Sequence, residues 1–125
     1  MRLLLDTHIF LWVVTDSRKL KAAARRSIAA ADAVYVSAAS IWEIAIKARL
    51  GKLDGDSKLL AETIEPSGFL ELPVSAHHAA RVALLPDHHQ DPFDRVLIAQ
   101  ALSEPLVLLT ADSLLTRYGE LVQLV

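Results

Sequence analysis

The chain has 125 residues, no cysteine, 53% hydrophobic and 22% charged residues, and a formal net charge of −2. That length and balance fit one folding unit over residues 1–125 with a real core and exclude a disordered segment. The missing cysteines exclude a disulfide framework, a thiolate nucleophile and a thiolate zinc site. No apolar run approaches the ~20 residues of a membrane span, and Asp6 and His8 interrupt the one at the amino end, so a cytoplasmic protein with no membrane partner is expected.

In chain order, Arg2-Leu3-Leu4-Leu5 is apolar on both faces, as a central parallel strand is, and stops at Asp6-Thr7. His8 to Val14 reads as a short helix. Asp16 or Ser17 caps a second, Arg18 to Ala30, rich in Ala, Lys and Arg. Ala33 to Val36 is β-branched and aromatic, hence a strand. Ser40-Ile41-Trp42-Glu43 has capping-box spacing, and its helix runs to a stop at Gly51. A turn at Leu53 to Gly55, a helix from Ser57 to Ile64, a break at Pro66-Ser67-Gly68 and a strand at Phe69 to Leu72 follow. Ser75 caps a helix over Ala76 to Leu84, ended by Pro86.

After the loop Asp87 to Gln90, Asp91 is placed as N-cap, Pro92 at N1 and Asp94 at N3 of a helix that Ser103 and Pro105 end. Leu106 to Thr110 is a strand, Asp112-Ser113 start a short helix to Arg117, and Leu121 to Val125 closes as a strand. Strands alternating with helices of this length predict an α/β fold with a mainly parallel sheet of about 4–5 strands covered on both faces. Its carboxyl edge is where such folds place their ligands.

Four acids fall at that edge. Asp6 follows the first strand, Glu43 stands in the first turn of the helix after the second, Asp112 follows Leu106–Thr110, and Asp94 begins the helix antiparallel to that strand. All but the first have a ready local reading. Glu43 completes a capping box and pairs with Lys47, Asp91 and Asp94 serve the helix start, and Asp112 caps the next helix. Asp6 alone has no evident structural role. Together, carboxylates this close repel one another unless a cation joins them.

All-oxygen ligation favours Mg2+ or Mn2+, an ion shared with substrate phosphates, and the chemistry inferred is phosphodiester hydrolysis. Asp94 or Asp112 would accept the proton of the attacking water. The hydroxyls of Thr7, Ser37 and Thr110 lie at the same edge, with local capping as their first explanation. His77, His78, His88 and His89 lack the spacing of a helical imidazole pair and read as loop or surface groups, His89 being the one near substrate. Trp12 and Trp42 read as core or interface.

Charge is uneven along the chain: residues 1–60 carry 10 Lys and Arg against 6 acids, and residues 61–125 carry 3 against 9. Arg18, Lys19, Lys21, Arg25, Arg26, Lys47, Arg49 and Lys52 would form a basic rim for a polyanion, although scattered surface charge gives the same counts.

In these residues the sequence resembles the PIN-domain family, and within it the VapC-type toxins of bacterial toxin–antitoxin pairs. The resemblance spans the whole chain. It rests on Leu3-Leu4-Leu5-Asp6-Thr7-His8, on Ser37 to Lys47, on Asp91-Pro92-Phe93-Asp94-Arg95 with Ile98-Ala99-Gln100-Ala101, and on Leu109-Thr110-Ala111-Asp112. It implies a three-layer α/β/α fold, a Mg2+-dependent (or Mn2+-dependent) ribonuclease, an RNA substrate, a VapB-like antitoxin and a homodimer.

The family's acidic quartet falls on Asp6, Glu43, Asp94 and Asp112. Asp6 and Asp94 would be metal ligands, with Glu43 and Asp112 completing the site directly or through water. Asp91, Thr7 and Thr110 would be accessory. Gln90 stands where the family often has a basic residue, so the resemblance does not carry over the substrate contact at that point and leaves the metal ligands untouched. Two other readings stay open at this point: a receiver-like phosphoacceptor domain, which needs an acceptor Asp after the third strand where only Pro73-Val74 stand, and a catalytically silent binding module.

Overall fold

A computed structural model describes residues 1–125. Five strands, β1 (Arg2–Leu5), β2 (Ala33–Ser37), β3 (Leu70–Leu72), β4 (Val107–Thr110) and β5 (Val122–Leu124), form one sheet in the order β3-β2-β1-β4-β5. Every neighbouring pair is parallel. This order excludes the receiver-like reading, since receiver-type doubly wound domains run 2-1-3-4-5.

β1 is central because Leu3, Leu4 and Leu5 are all fully buried and have no side on which to meet water. Alternation sends Leu3 and Leu5 to one face and Leu4 to the other. On the first face they pack with Ile9 and Phe10 of α1 (Thr7–Val14), Ala24 of α2 (Ala22–Ala30), Ile44 of α3 (Ala38–Arg49) and Ile64, which follows α4 (Ser57–Thr63). On the second, Leu4 meets Leu97, Ile98 and Ala101 of α6 (Pro92–Ser103) and Leu115 of the 3-10 segment Ser113–Tyr118. The remaining helix, α5 (Ala76–Arg81), runs into a 3-10 turn, Val82–Leu84, and packs against α6. The result is the three-layer α/β/α arrangement expected from the alternating pattern.

Two helix starts differ from those predicted. Arg18 to Lys21 is not helical: Asp16 takes a left-handed conformation (φ 49) and Ser17 N–H donates to Trp12 C=O, so the chain reverses before α2 begins at Ala22. Asp16 instead pairs with Arg25 at 3.1 Å. The helix expected from Ser40 starts earlier, because Ser37 ends β2 and accepts from Ala39 N–H at 3.0 Å as its N-cap. The Ser40–Glu43 capping box therefore does not form, and Glu43 lies in the second turn.

The end of α3 follows its sequence: Gly51 takes φ 72, and Lys52 N–H donates to Lys47 C=O, a Schellman closure that needs a residue free of a Cβ.

Candidate active site

The parallel strands bring their carboxyl ends to one edge, and four loops and helix starts meet there. Asp6 is 6% exposed and, contrary to expectation, has a structural role as the N-cap of α1, where its Oδ1 accepts from Thr7 N–H at 2.7 Å. Its Oδ2 accepts from Thr110 Oγ1 at 2.7 Å, and Thr110 Oγ1 in turn accepts from Asp112 N–H at 3.0 Å. Thr110 thus ties the ends of β1 and β4 together. Asp112 Oδ1 accepts from Leu114 N–H at 2.9 Å, which leaves its other oxygen free.

Glu43, 3% exposed, hangs from α3 into the same edge. Thr7 Oγ1 donates to its Oε1 at 2.7 Å and lies 2.9 Å from the buried Ser40 Oγ, while Lys47 Nζ sits 2.5 Å from its Oε2. The i,i+4 pair expected from sequence forms, and it does so inside the site. The hydrogen bond from Lys47 to Glu43 outweighs partial burial and, with the charges of Glu43, Asp91 and Asp94, pushes the Lys47 ammonium's pKa up. Ser40 is therefore part of the site and not a cap. Its signal in the sequence, a small hydroxyl three residues before a buried acid, is also that of a capping box, which points to the wrong turn.

α6 begins as predicted. Asp91 Oδ1 accepts from Phe93 N–H (2.9 Å) and Asp94 N–H (3.0 Å), and Pro92 occupies the first turn, where its missing N–H costs nothing. Asp94 Oδ2 lies 2.8 Å from His89 Nε2. Burial, then the charge of Asp6, push the Asp94 carboxyl up to about 7; Asp91 and Glu43 add to the rise and the His89 hydrogen bond opposes it. Burial also raises Asp6, against hydrogen bonds from Thr110 and Thr7.

The donor atoms of His89, Asp94 and Asp112 all lie within 4.8 Å of one another. Asp6 and Asp112, with His8, Trp12 and Ala111, line a cavity of about 250 Å3. His8, exposed and next to Asp6, is a site residue that sequence reasoning misses, although adjacency to the first acid is a usable signal.

One imidazole stands elsewhere than predicted. His78 is 3% exposed rather than on the surface, and its Nε2 lies 2.7 Å from Glu104 Oε2 while its Nδ1 accepts from Ser75 N–H. Trp42 is 62% exposed and packs edge-on against Phe93, and Trp12 is only partly buried. Of the basic rim, Lys47 and Arg25 are engaged with acids, and the remaining six residues face solvent.

The sequence matches the PIN domain family over residues 3–121. The chain belongs to the PIN domain family. PIN domains are generally nucleases and typically use divalent metals. No curated protein matches the sequence.

Among solved structures, this PIN domain is similar to VapBC2 from Rickettsia felis bound to a DNA fragment from its promoter (TM-score 0.71, 14% identity, 98% of each chain covered). It is likewise similar to DNA-bound VapBC from Salmonella typhimurium (TM-score 0.68, 16% identity, 98% of this chain and 97% of that one). A third similar structure is a toxin–antitoxin complex from Klebsiella pneumoniae (TM-score 0.67, 18% identity, 96% and 94%).

The residues of this PIN domain fit a hard cation. Two buried carboxylates and a third pushed up to about 7 share one edge with a single ammonium, so negative charge is left over where water is scarce. Removing that ammonium is informative. Lys47→Ala is expected to destabilise the metal-free protein by about 2 kcal/mol, because Glu43 then keeps its buried charge without a partner. The loss should shrink when Mg2+ is added; urea denaturation with and without the ion checks both statements.

Proposed function

We propose that this PIN domain, taken as one unit over residues 1–125, is a divalent-metal-dependent endoribonuclease of the VapC toxin type. The observation that carries the reading is the meeting of Asp6, Glu43, Asp94 and Asp112 at the sheet's carboxyl edge, with Asp94 pushed up to about 7. Mg2+ or Mn2+ is the cofactor. Asp6 and Asp94 would hold it, Glu43 and Asp112 completing the set directly or through water. When bound, such an ion acidifies water and offsets charge on phosphoryl oxygens.

The protein's own groups do the rest. Thr7 and Lys47 fix both oxygens of Glu43, Thr110 fixes one oxygen of Asp6, and Asp91 sets the start of α6 so that Asp94 faces the others. These accessory contacts hold four carboxyl groups in register before substrate arrives, which supports catalysis by positioning. Asp112, with one oxygen free, is the group suited to accept the water's proton.

The partners belong to the same reading. The similar structures are complexes named VapBC or toxin–antitoxin, which supports a VapB-like antitoxin, and a cytoplasmic location belongs to the same reading. No helix is long and apolar enough to cross a membrane. An apolar groove of about 360 Å3 lined by Ala39, Trp42, Val74, Pro92, Phe93 and Val96 beside the site supports a homodimer.

The test is incubation of the purified chain with RNA and Mg2+ or Mn2+, with EDTA as control. Cleavage that needs the ion and disappears in Asp6→Ala is expected; equal cleavage by parent and variant would remove the assignment.

A further inference from the structure

The loop before α6 is held more firmly than a surface connection requires. Arg95, one residue beyond Asp94, donates from Nη1 to Pro86 C=O (3.0 Å), His89 C=O (3.2 Å) and Tyr118 Oη (3.2 Å), and from Nη2 to Val82 C=O (3.1 Å). The His88 ring packs edge-on against Tyr118 at 5.2 Å. One guanidinium thus fastens residues 82–89 to α6, and what the fastening positions at the site is the half-buried His89 imidazole.

His89 Nε2 and Asp94 Oδ2 are 2.8 Å apart, and Asp112 brings a third donor within 4.8 Å. Adjacent ligands on an octahedral ion with bonds of about 2.1 Å stand about 3 Å apart and opposite ones about 4.2 Å. The His89–Asp94 spacing matches an adjacent pair. Asp112, held through Oδ1 alone, has a carboxylate oxygen to offer at the third position.

We propose that His89 is a nitrogen ligand of a divalent ion held between Asp94 and Asp112, a position that prefers Mn2+ and Zn2+ to Mg2+. The proposal rests on the reading of the acidic cluster as a metal site. An imidazole beside the carboxylates adds a softer nitrogen donor, which favours transition ions over Mg2+. Arg95 is the positioning residue: its contacts set the loop rather than touch the ion.

The test uses the full chain without RNA. Pulsed EPR of the Mn2+-loaded protein should show coupling to an imidazole nitrogen, lost in both His89→Ala and His89→Gln. Calorimetry should show Mn2+ affinity about tenfold weaker in both variants, with Mg2+ affinity changed less than about twofold. His89→Gln can still donate a hydrogen bond to Asp94, so recovery of Mn2+ preference in that variant would assign His89 to the hydrogen bond and overturn the proposal. Mn2+ binding without nitrogen coupling in the parent overturns it while leaving the nuclease reading intact; no Mn2+ or Mg2+ binding at all removes both.

Discussion

Asp94→Asn should lose RNA cleavage by at least about a thousandfold, some 4 kcal/mol of barrier, while the metal-free protein becomes more stable. The two effects have one cause. Asp94 is surrounded by Asp6, Asp91 and Glu43 in a poorly solvated edge, and its carboxyl is pushed up to about 7 from an ordinary value of 3.8. At pH 8 the folded metal-free chain carries that carboxylate charged against burial and three like charges. An amide of the same shape removes the burden and keeps an oxygen toward His89.

A shift of that size corresponds to about 4 kcal/mol at full strength. Partial solvent screening and the weakened His89 contact reduce the expected gain to about 1–2 kcal/mol, read as a higher urea midpoint in EDTA at pH 8. Metal reverses the order: Mg2+ or Mn2+ should stabilise the parent and leave Asp94→Asn nearly unchanged. A variant less stable than the parent in EDTA would mean that the acids do not strain this edge.

The same local-versus-distant distinction explains what the sequence made legible. The cap of α6 was readable, because Asp91 and Pro92 act on backbone groups within three residues of themselves, whereas the Asp94 carboxylate turns to His89 instead of reaching back to the helix start. The strands were readable because β1 and β4 each carry three consecutive apolar residues, and the parallel sheet followed from the helices between them. The meeting of the acids followed from topology, since residues after parallel strands share an edge whatever their separation in sequence.

What escaped depends on partners far along the chain. His78 looks like a surface residue until α5 packs on α6 and sets it against Glu104, twenty-six positions away. Ser40 and Ser37 are equally good caps by type. The parallel register of β2 with β3, which carries β2 through Ser37, decides between them. The break at Asp16 comes from a reversal fixed by Trp12 C=O and the Arg25 ion pair, neither visible in helix propensity.

Acidity supplies the other large effect. Because the Asp94 carboxyl is raised, folding of the metal-free chain takes up a proton between about pH 4 and 7, so its stability rises as pH falls through 7 and levels off below the ordinary carboxylate range. Metal binding runs the opposite way, since the ion must displace that proton. Below pH 7 the apparent affinity for Mg2+ is expected to fall by about tenfold per pH unit, more steeply where Asp6, also raised by burial, holds a proton too.

Cleavage at limiting Mg2+ should therefore climb about tenfold per unit from pH 5.5 to 7 and flatten above. Saturating Mg2+ should move the bend to lower pH, because mass action lets the ion win at higher proton concentration. Both curves can be measured with one fluorescent RNA. A profile flat from pH 5.5 to 8 at limiting ion, or a bend that stays in place as Mg2+ rises, would show that proton and cation do not compete at Asp94.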